Sequence, residues 1–199
     1  KNKIAFCGYH GWHDWYLSSN LNDSSNLDNM LLPGLSTKGV PKALKNTTIP
    51  FEYGNIEQFK KIVENTKNDL GIIIMEIQKY KEVNLEFLRK IRKIATKIGA
   101  VLIFDEISSG FRFTTGGQHL LYDIIPDIAI FGKALGNGFP IGAIVGKKNI
   151  MQAAQDTFIS SSYWTERSGY VAAVETIKFF EKNEVTKYTM KMGKYISQK

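Results

Sequence analysis

The sequence predicts an α/β fold, a three-layer α/β/α domain built on a mostly parallel β-sheet. Short runs rich in Ile, Val and Phe alternate with longer stretches whose apolar residues recur every three or four positions. The short runs are almost continuously apolar, which is typical of strands covered on both faces, and amphipathic helices between them provide that cover. A chain of 199 residues with 43% hydrophobic content is long enough to bury one substantial core.

The individual elements follow from these runs. Helices are predicted for NIEQFKKIVENTK and NLEFLRKIRKIATKIG, and Gly99 suits a C-terminal cap. The chain starts at Lys1 without a Met, and its last stretch keeps a helical pattern up to Lys199. We therefore interpret 1–199 as the central part of a larger domain, truncated at both ends. The predicted strands, in chain order, are KIAFC (3–7), GIIIMEI (71–77), AVLIFDEI (100–107), DIAIFG (127–132) and IGAIVG (141–146).

The stretch from 17 to 48 interrupts the alternation of strands and helices. It is rich in Asn, Ser, Asp, Gly and Pro and has neither a strand nor a helix period. We predict an irregular insert within the domain, and long irregular segments of this kind are usually functional or mobile.

Composition narrows the class of protein. The net charge is +7, but only four of the 26 basic residues are Arg and the lysines are scattered along the predicted helices, so we expect no nucleic-acid partner. The single cysteine, Cys7, excludes an intramolecular disulfide framework. No apolar run approaches the roughly 18 residues that a membrane span requires. We expect a cytoplasmic protein that does not bind membranes.

Two charged residues directly follow apolar strands, where ligands bind in open α/β sheets. Asp105 follows VLIF, and a carboxylate at such a buried position needs a partner; the alternative is an Asp that caps the next turn. Lys133 follows IAIFG, and it either extends its amine to solvent or serves as a desolvated amine able to form a Schiff base.

Aromatic residues follow the first strand in the same way. Tyr9 and His10 come directly after IAFC, and a ring beside a glycine can lie flat on a planar ligand; the alternative is a hydrophobic cluster that closes the end of the sheet. His10, His13 and Asp14 lack a third or fourth ligand at suitable spacing, so no metal site is predicted.

A carboxylate, a lysine and a flat aromatic at strand ends together match the needs of pyridoxal 5'-phosphate. The carboxylate keeps the pyridine nitrogen of this cofactor protonated, the amine forms the imine and the aromatic ring stacks on the cofactor. The combination therefore favours a pyridoxal-phosphate site, with Lys133 as the anchor.

The motifs LIFDEISSGFR, FGKALGNGFPIGAIVG and YHGWHDWY resemble those of the class III aminotransferases, which are fold-type I pyridoxal-phosphate enzymes and include proteins of the glutamate-1-semialdehyde aminomutase type. The resemblance implies that Asp105 pairs with the pyridinium nitrogen, while Lys133 carries the cofactor as a Schiff base and moves the proton at the substrate carbon. It also implies that Tyr9 stacks on one face of the cofactor ring and Ile107 packs on the other. Glu106 and His10 are expected just behind these residues.

The segment SSSYWTERSGYVAAVETI resembles the one that family members extend across a dimer interface to the neighbour's cofactor phosphate. The resemblance places Ser162 at the phosphate, with Thr165 as the nearby alternative, and it implies a homodimer. Instead of binding phosphate, Thr165 and Glu166 can cap the following helix. One departure is Ile77, which stands where the family has Pro after Glu76, and no Asn or Gln falls where the family has a side-chain amide.

The resemblance implies amino-group transfer between a small-molecule amino donor and a keto or aldehyde acceptor. The first alternative is intramolecular transfer of the glutamate-1-semialdehyde 2,1-aminomutase type. WTER differs from the Gly-Asn-Pro typical of the aminomutases, which favours a transaminase. A non-catalytic relative that keeps the fold for binding is the more remote alternative.

Overall fold

A computed structural model describes residues 1–78 and 82–198 of the chain. Its strands are β1 (Lys3–Cys7), β2 (Thr48–Pro50), β3 (Leu70–Glu76), β4 (Val101–Asp105), β5 (Ile128–Phe131) and β6 (Ala143–Gly146). Its helices are α1 (Asp14–Leu17), α2 (Ile56–Thr66), α3 (Leu85–Ile98), α4 (Lys148–Met151), α5 (Arg167–Lys182) and α6 (Val185–Ser197). Short 3-10 turns cover Ser18–Leu21, Lys42–Leu44, Gln118–Tyr122, Lys133–Leu135 and Gln152–Asp156.

The strands form one six-stranded sheet in the order β2-β1-β3-β4-β5-β6. Strand β1 runs parallel to both β2 and β3, whereas β5 and β6 are antiparallel. The predicted α/β fold with a mostly parallel sheet is therefore confirmed, and all five predicted strands are present within a few residues of their expected ends. Along the described residues, no helix is both long enough and apolar enough to cross a membrane.

The chain forms two compact units, Lys1–Ile103 and Phe104–Lys199. In the first unit, the rings of Phe51 and Phe59 pack with their centroids 5.0 Å apart, beside Phe87. Both long helices of this unit begin at an Asn whose side chain accepts a backbone hydrogen bond. Helix α3 ends at Gly99, which has φ 62°, so the predicted glycine cap is confirmed.

The stretch 17–48 is packed within the first unit, where Gly8 N donates a hydrogen bond to Met30 Sδ at 3.3 Å. Leu27 is fully buried, and the Asn20 side chain accepts a hydrogen bond from Leu27 N and donates one to Leu35 O. Both ends of the stretch differ from the prediction, because residue 17 closes α1 and Thr48, which is buried, opens β2. A three-residue strand is too short to show alternation in sequence.

The second unit has its own hydrophobic core, to which α5 contributes Ala173. Phe111, Ala129, Phe131, Leu135 and Ala173 are buried together, and the rings of Phe111 and Phe131 meet edge to face at 5.8 Å. Strand β5 and the turn after it are therefore held in place by this core.

Candidate active site

Asp105 is the last residue of β4 and is only 7% exposed. Its Oδ1 accepts a hydrogen bond from the backbone N–H of Ile107 at 3.1 Å. The turn-capping role considered as the alternative is therefore present. A carboxylate that caps the turn is held in one rotamer, so this capping also orients the charged group that the sequence singled out.

Glu106 follows Asp105 and has no exposed surface. Its backbone N–H donates to Ile130 O on β5 at 2.9 Å. Its carboxylate accepts hydrogen bonds from Ser109 Oγ at 2.8 Å, Gln118 N at 2.6 Å and His119 N at 3.0 Å. The fourth contact joins Oε1 to His119 Nδ1 at 2.6 Å. Glu106 thus ties the turn after β4 both to β5 and to the 3-10 turn at 118–122.

Burial by itself raises the pKa of the Glu106 carboxyl, but the hydrogen bonds from His119, Gln118 and Ser109 outweigh burial and lower the pKa below its usual value of 4.5. A lowered folded-state pKa stabilises the fold above the unfolded pKa, and that contribution is lost as pH falls through the folded pKa.

We therefore expect the stability advantage of the wild type over Glu106→Gln to be full at neutral pH and to shrink as the pH falls below about 4.5. Urea unfolding of both proteins at several pH values measures this difference. A difference that does not change between pH 7 and pH 3 would contradict the assignment of an ionised Glu106.

Lys133 opens the 3-10 turn that follows β5, and its side chain is exposed. Its backbone lies in the left-handed region, with φ 41°. The Nζ atom donates to Ser108 Oγ at 2.6 Å, so the amine contacts the turn that follows Asp105. Ile107 lies beside the same strand end, since a Cβ at Gly132 would be 3.5 Å from Ile107 Cγ2. Asp105, Ile107 and Lys133 are thus brought together around one turn.

Tyr9 and His10 belong to the first unit and follow β1. Tyr9 is half-buried; its N–H donates to Glu76 Oε2 at 3.2 Å and its ring packs 4.9 Å from that of Trp12. His10 is buried, with its ring stacked near that of Trp15. The aromatic cluster considered as the alternative is therefore present. Burial raises the pKa of the Tyr9 hydroxyl.

Ser162 and Thr165 lie in an exposed turn that leads into α5. The residue that caps this helix is Glu166, whose carboxylate accepts from Ser168 N at 3.1 Å. Of the two caps considered in the sequence, Glu166 is confirmed and Thr165 is wrong, because the helix starts one residue after Glu166. The phosphate roles of Ser162 and Thr165 stay predictions.

Comparison with known proteins identifies the family. The family model described as aminotransferase class-III matches residues 3–199. The chain belongs to the class III aminotransferases. This membership confirms the fold and the cofactor, pyridoxal 5'-phosphate, that the strand-end residues indicate.

Relatives of this class III aminotransferase chain include two kinds of enzyme. It is 36% identical over 192 residues to a 3-aminobutyryl-CoA aminotransferase of Cloacimonas acidaminovorans (strain Evry), covering 93% of this chain and 42% of that protein. It is 40% identical over 157 residues to a glutamate-1-semialdehyde 2,1-aminomutase of Sulfurihydrogenibium sp. (strain YO3AOP1), covering 76% and 36%.

A solved structure has the same fold. The FumI protein of Sphingopyxis sp. MTA144, determined in its PLP internal aldimine form, matches with a TM-score of 0.74 at 23% identity, over 90% of this chain and 42% of that one. The class III aminotransferase chain therefore spans less than half the length of each of these three proteins.

The donor set of this class III aminotransferase chain fits the cofactor. A buried carboxylate suits a protonated ring nitrogen, and an amine at a turn suits an aldehyde. Asp105 and Lys133 provide these two groups, and Ile107 provides an apolar side chain at the same turn.

Three side chains of the site were missed in the sequence. The Ser108 side chain meets Lys133, and the side chains of Ser109 and His119 meet Glu106, only through the fold. Ser108 was detectable in principle, because hydroxyl residues after a strand-end acid commonly stabilise turns. Nothing in the sequence indicated His119, since its partner Glu106 lies 13 residues earlier and the segment between them is irregular. The segment near Ile77 in which an amide was sought includes residues 79–81, outside the described residues.

Proposed function

We propose that the complete protein is a pyridoxal-phosphate-dependent aminotransferase in which Lys133 joins the cofactor and Asp105 pairs with its ring nitrogen. The observation that carries the proposal is the contact between Lys133 Nζ and Ser108 Oγ, 2.6 Å, on the turn that directly follows Asp105. The Lys133 side chain is exposed, as in the alternative considered from the sequence, and this contact holds its amine at the turn that follows Asp105.

When bound, pyridoxal phosphate supplies a reactive aldehyde and an electron-accepting ring. Asp105 keeps a proton on the ring nitrogen, and its burial strengthens this interaction because little water competes for the charge. Lys133 takes the proton from the substrate carbon as a general base and returns it as a general acid. Ser108 holds the Lys133 amine in position for both proton transfers. Ile107 shields one face of the ring from water.

The other site residues have roles supported by motif resemblance. Tyr9 stacks on the second face of the ring and His10 lies behind it, as the YHG motif suggests. Ser162, with Thr165 as the alternative, binds the phosphate of a partner subunit's cofactor, so the protein works as a homodimer. The exposed position of both side chains is compatible with contact to another subunit. The single cysteine supports a cytoplasmic location.

The substrates are a small-molecule amino donor and a keto or aldehyde acceptor. The 36% identity to an aminotransferase over 93% of the chain supports transfer between two molecules. The 40% identity to an aminomutase supports the second candidate, in which the amine moves between neighbouring carbons of one molecule. Release of a free keto product during a single turnover with excess enzyme indicates the first candidate, and retention indicates the second.

The decisive test is borohydride reduction of the complete protein after incubation with pyridoxal phosphate, followed by peptide mass mapping. We expect a pyridoxyl adduct on the peptide that contains Lys133 and none on the peptide that contains Lys147, a partly exposed lysine paired with Asp127. A folded protein without an adduct at Lys133 would refute the proposal and favour a non-catalytic relative.

A further inference from the structure

We propose that the buried pair of Glu106 and His119 is a positioning unit that holds the turn 106–110, and with it Asp105 and the contact of Lys133, in the geometry that binds the cofactor. This inference rests on the proposed function, because it concerns the residues that hold pyridoxal phosphate. His119 is the new element, a positioning residue that touches neither the cofactor nor the substrate.

The pair is built as a closed hydrogen-bonding unit. Glu106 is fully buried and His119 is 8% exposed, and Nδ1 of the ring lies 2.6 Å from Oε1. The lowered pKa of Glu106 makes it an acceptor, so Nδ1 carries the hydrogen. A hydrogen bond to an ionised carboxylate in a water-poor site is stronger than one between neutral groups.

The 117–119 backbone approaches Glu106 closely. A Cβ at Gly117 would lie 2.8 Å from Glu106 Oε1 and would also collide with the His119 ring. The ring also packs near that of Phe104 of β4, at a centroid distance of 6.3 Å. The imidazole is therefore closely surrounded where it contacts the Glu106 carboxylate.

One described side-chain contact of each proposed cofactor anchor is made to the turn that Glu106 opens. Asp105 caps the turn through Ile107 N, and Lys133 binds Ser108 within the turn. The turn itself is closed by Gly110 N, which donates to Glu106 O at 2.7 Å. Movement of Glu106 would therefore both shift the Asp105 carboxylate and break the contact of the Lys133 amine with Ser108.

The experiment compares His119→Phe with His119→Asn in the complete protein. Phenylalanine keeps the ring but loses the donor, whereas the asparagine amide places an N–H close to the position of Nδ1. Two quantities are measured: the Kd for pyridoxal phosphate, and the rate at which acetic anhydride labels Lys133 relative to Lys147 in the cofactor-free protein. The second quantity does not depend on cofactor binding.

For His119→Phe we expect the Kd to rise about tenfold and Lys133 labelling to rise about twofold or more, because loss of a charge-assisted donor loosens the turn. His119→Asn should stay within about threefold of the wild-type Kd, since it restores the donor. Unchanged values in His119→Phe overturn the inference. Equal impairment of both variants also overturns it, since a purely structural role would not distinguish them.

Failure of the proposed function is separable from failure of this inference. If the wild type gives no adduct at Lys133, the proposed function fails, while dependence of Lys133 labelling on the His119 donor still supports the positioning unit. Should His119→Phe not fold, Ser109→Ala removes another donor to the same carboxylate. That variant should show the same increase in labelling to a smaller extent, and no increase would overturn the inference.

Discussion

Replacing Lys133 with Met should lower amino transfer by about a thousandfold or more, because the substitution removes both the nucleophile and the acid–base group. Met keeps the length of the side chain without its amine. Lys133→Arg keeps the positive charge but cannot form an imine, and it should be as inactive as Lys133→Met. Turnover of an amino donor with the complete protein measures both effects.

The control is Lys147→Met, which changes a lysine that is paired with Asp127 at 2.7 Å in the same unit. Activity of this variant should match the wild type. If Lys133→Met kept activity within about tenfold of the wild type, Lys133 would not be the group that moves the proton.

Asp105→Asn should lower turnover by about a hundredfold to a thousandfold, as is usual when a preorganised electrostatic partner is lost. Its stability should change little, within about 1 kcal/mol, because the amide oxygen can still accept from Ile107 N. The substitution therefore separates the charge of Asp105 from its structural hydrogen bond.

Asp127→Asn is the matched control, since Asp127 is also buried but forms an ion pair with Lys147. Comparing kcat and unfolding free energy for both variants provides the test. A loss of stability in Asp105→Asn that accounts for its whole loss of activity would indicate that Asp105 acts only as a turn cap.

The sequence was informative where local chemistry determines structure. Strands β1 and β3 were predictable because burial on both faces demands continuous apolar residues, and the end of α3 was predictable because Gly99 readily adopts a left-handed conformation. Asp105 and Lys133 were recognisable because they directly follow apolar strands, where ligands bind in open α/β sheets.

The side-chain contacts of the site depend on residues that are distant in sequence. The contact of Lys133 with Ser108 spans 25 residues and that of His119 with Glu106 spans 13. Strand β2 was missed because three residues carry no period. The cap of α5 was ambiguous because Thr165 and Glu166 both have suitable acceptors, and only the first helical residue decides between them.

The left-handed backbone conformation of Lys133 has a consequence for the evolution and the engineering of this chain. A side chain with a Cβ at φ 41° is disfavoured there by about 1–2 kcal/mol relative to glycine. Selection for thermal stability alone would therefore tend to replace the lysine and, with it, the reactive amine. A search for more stable variants therefore has to measure turnover as well, because the most stable variants will lack the amine that activity requires.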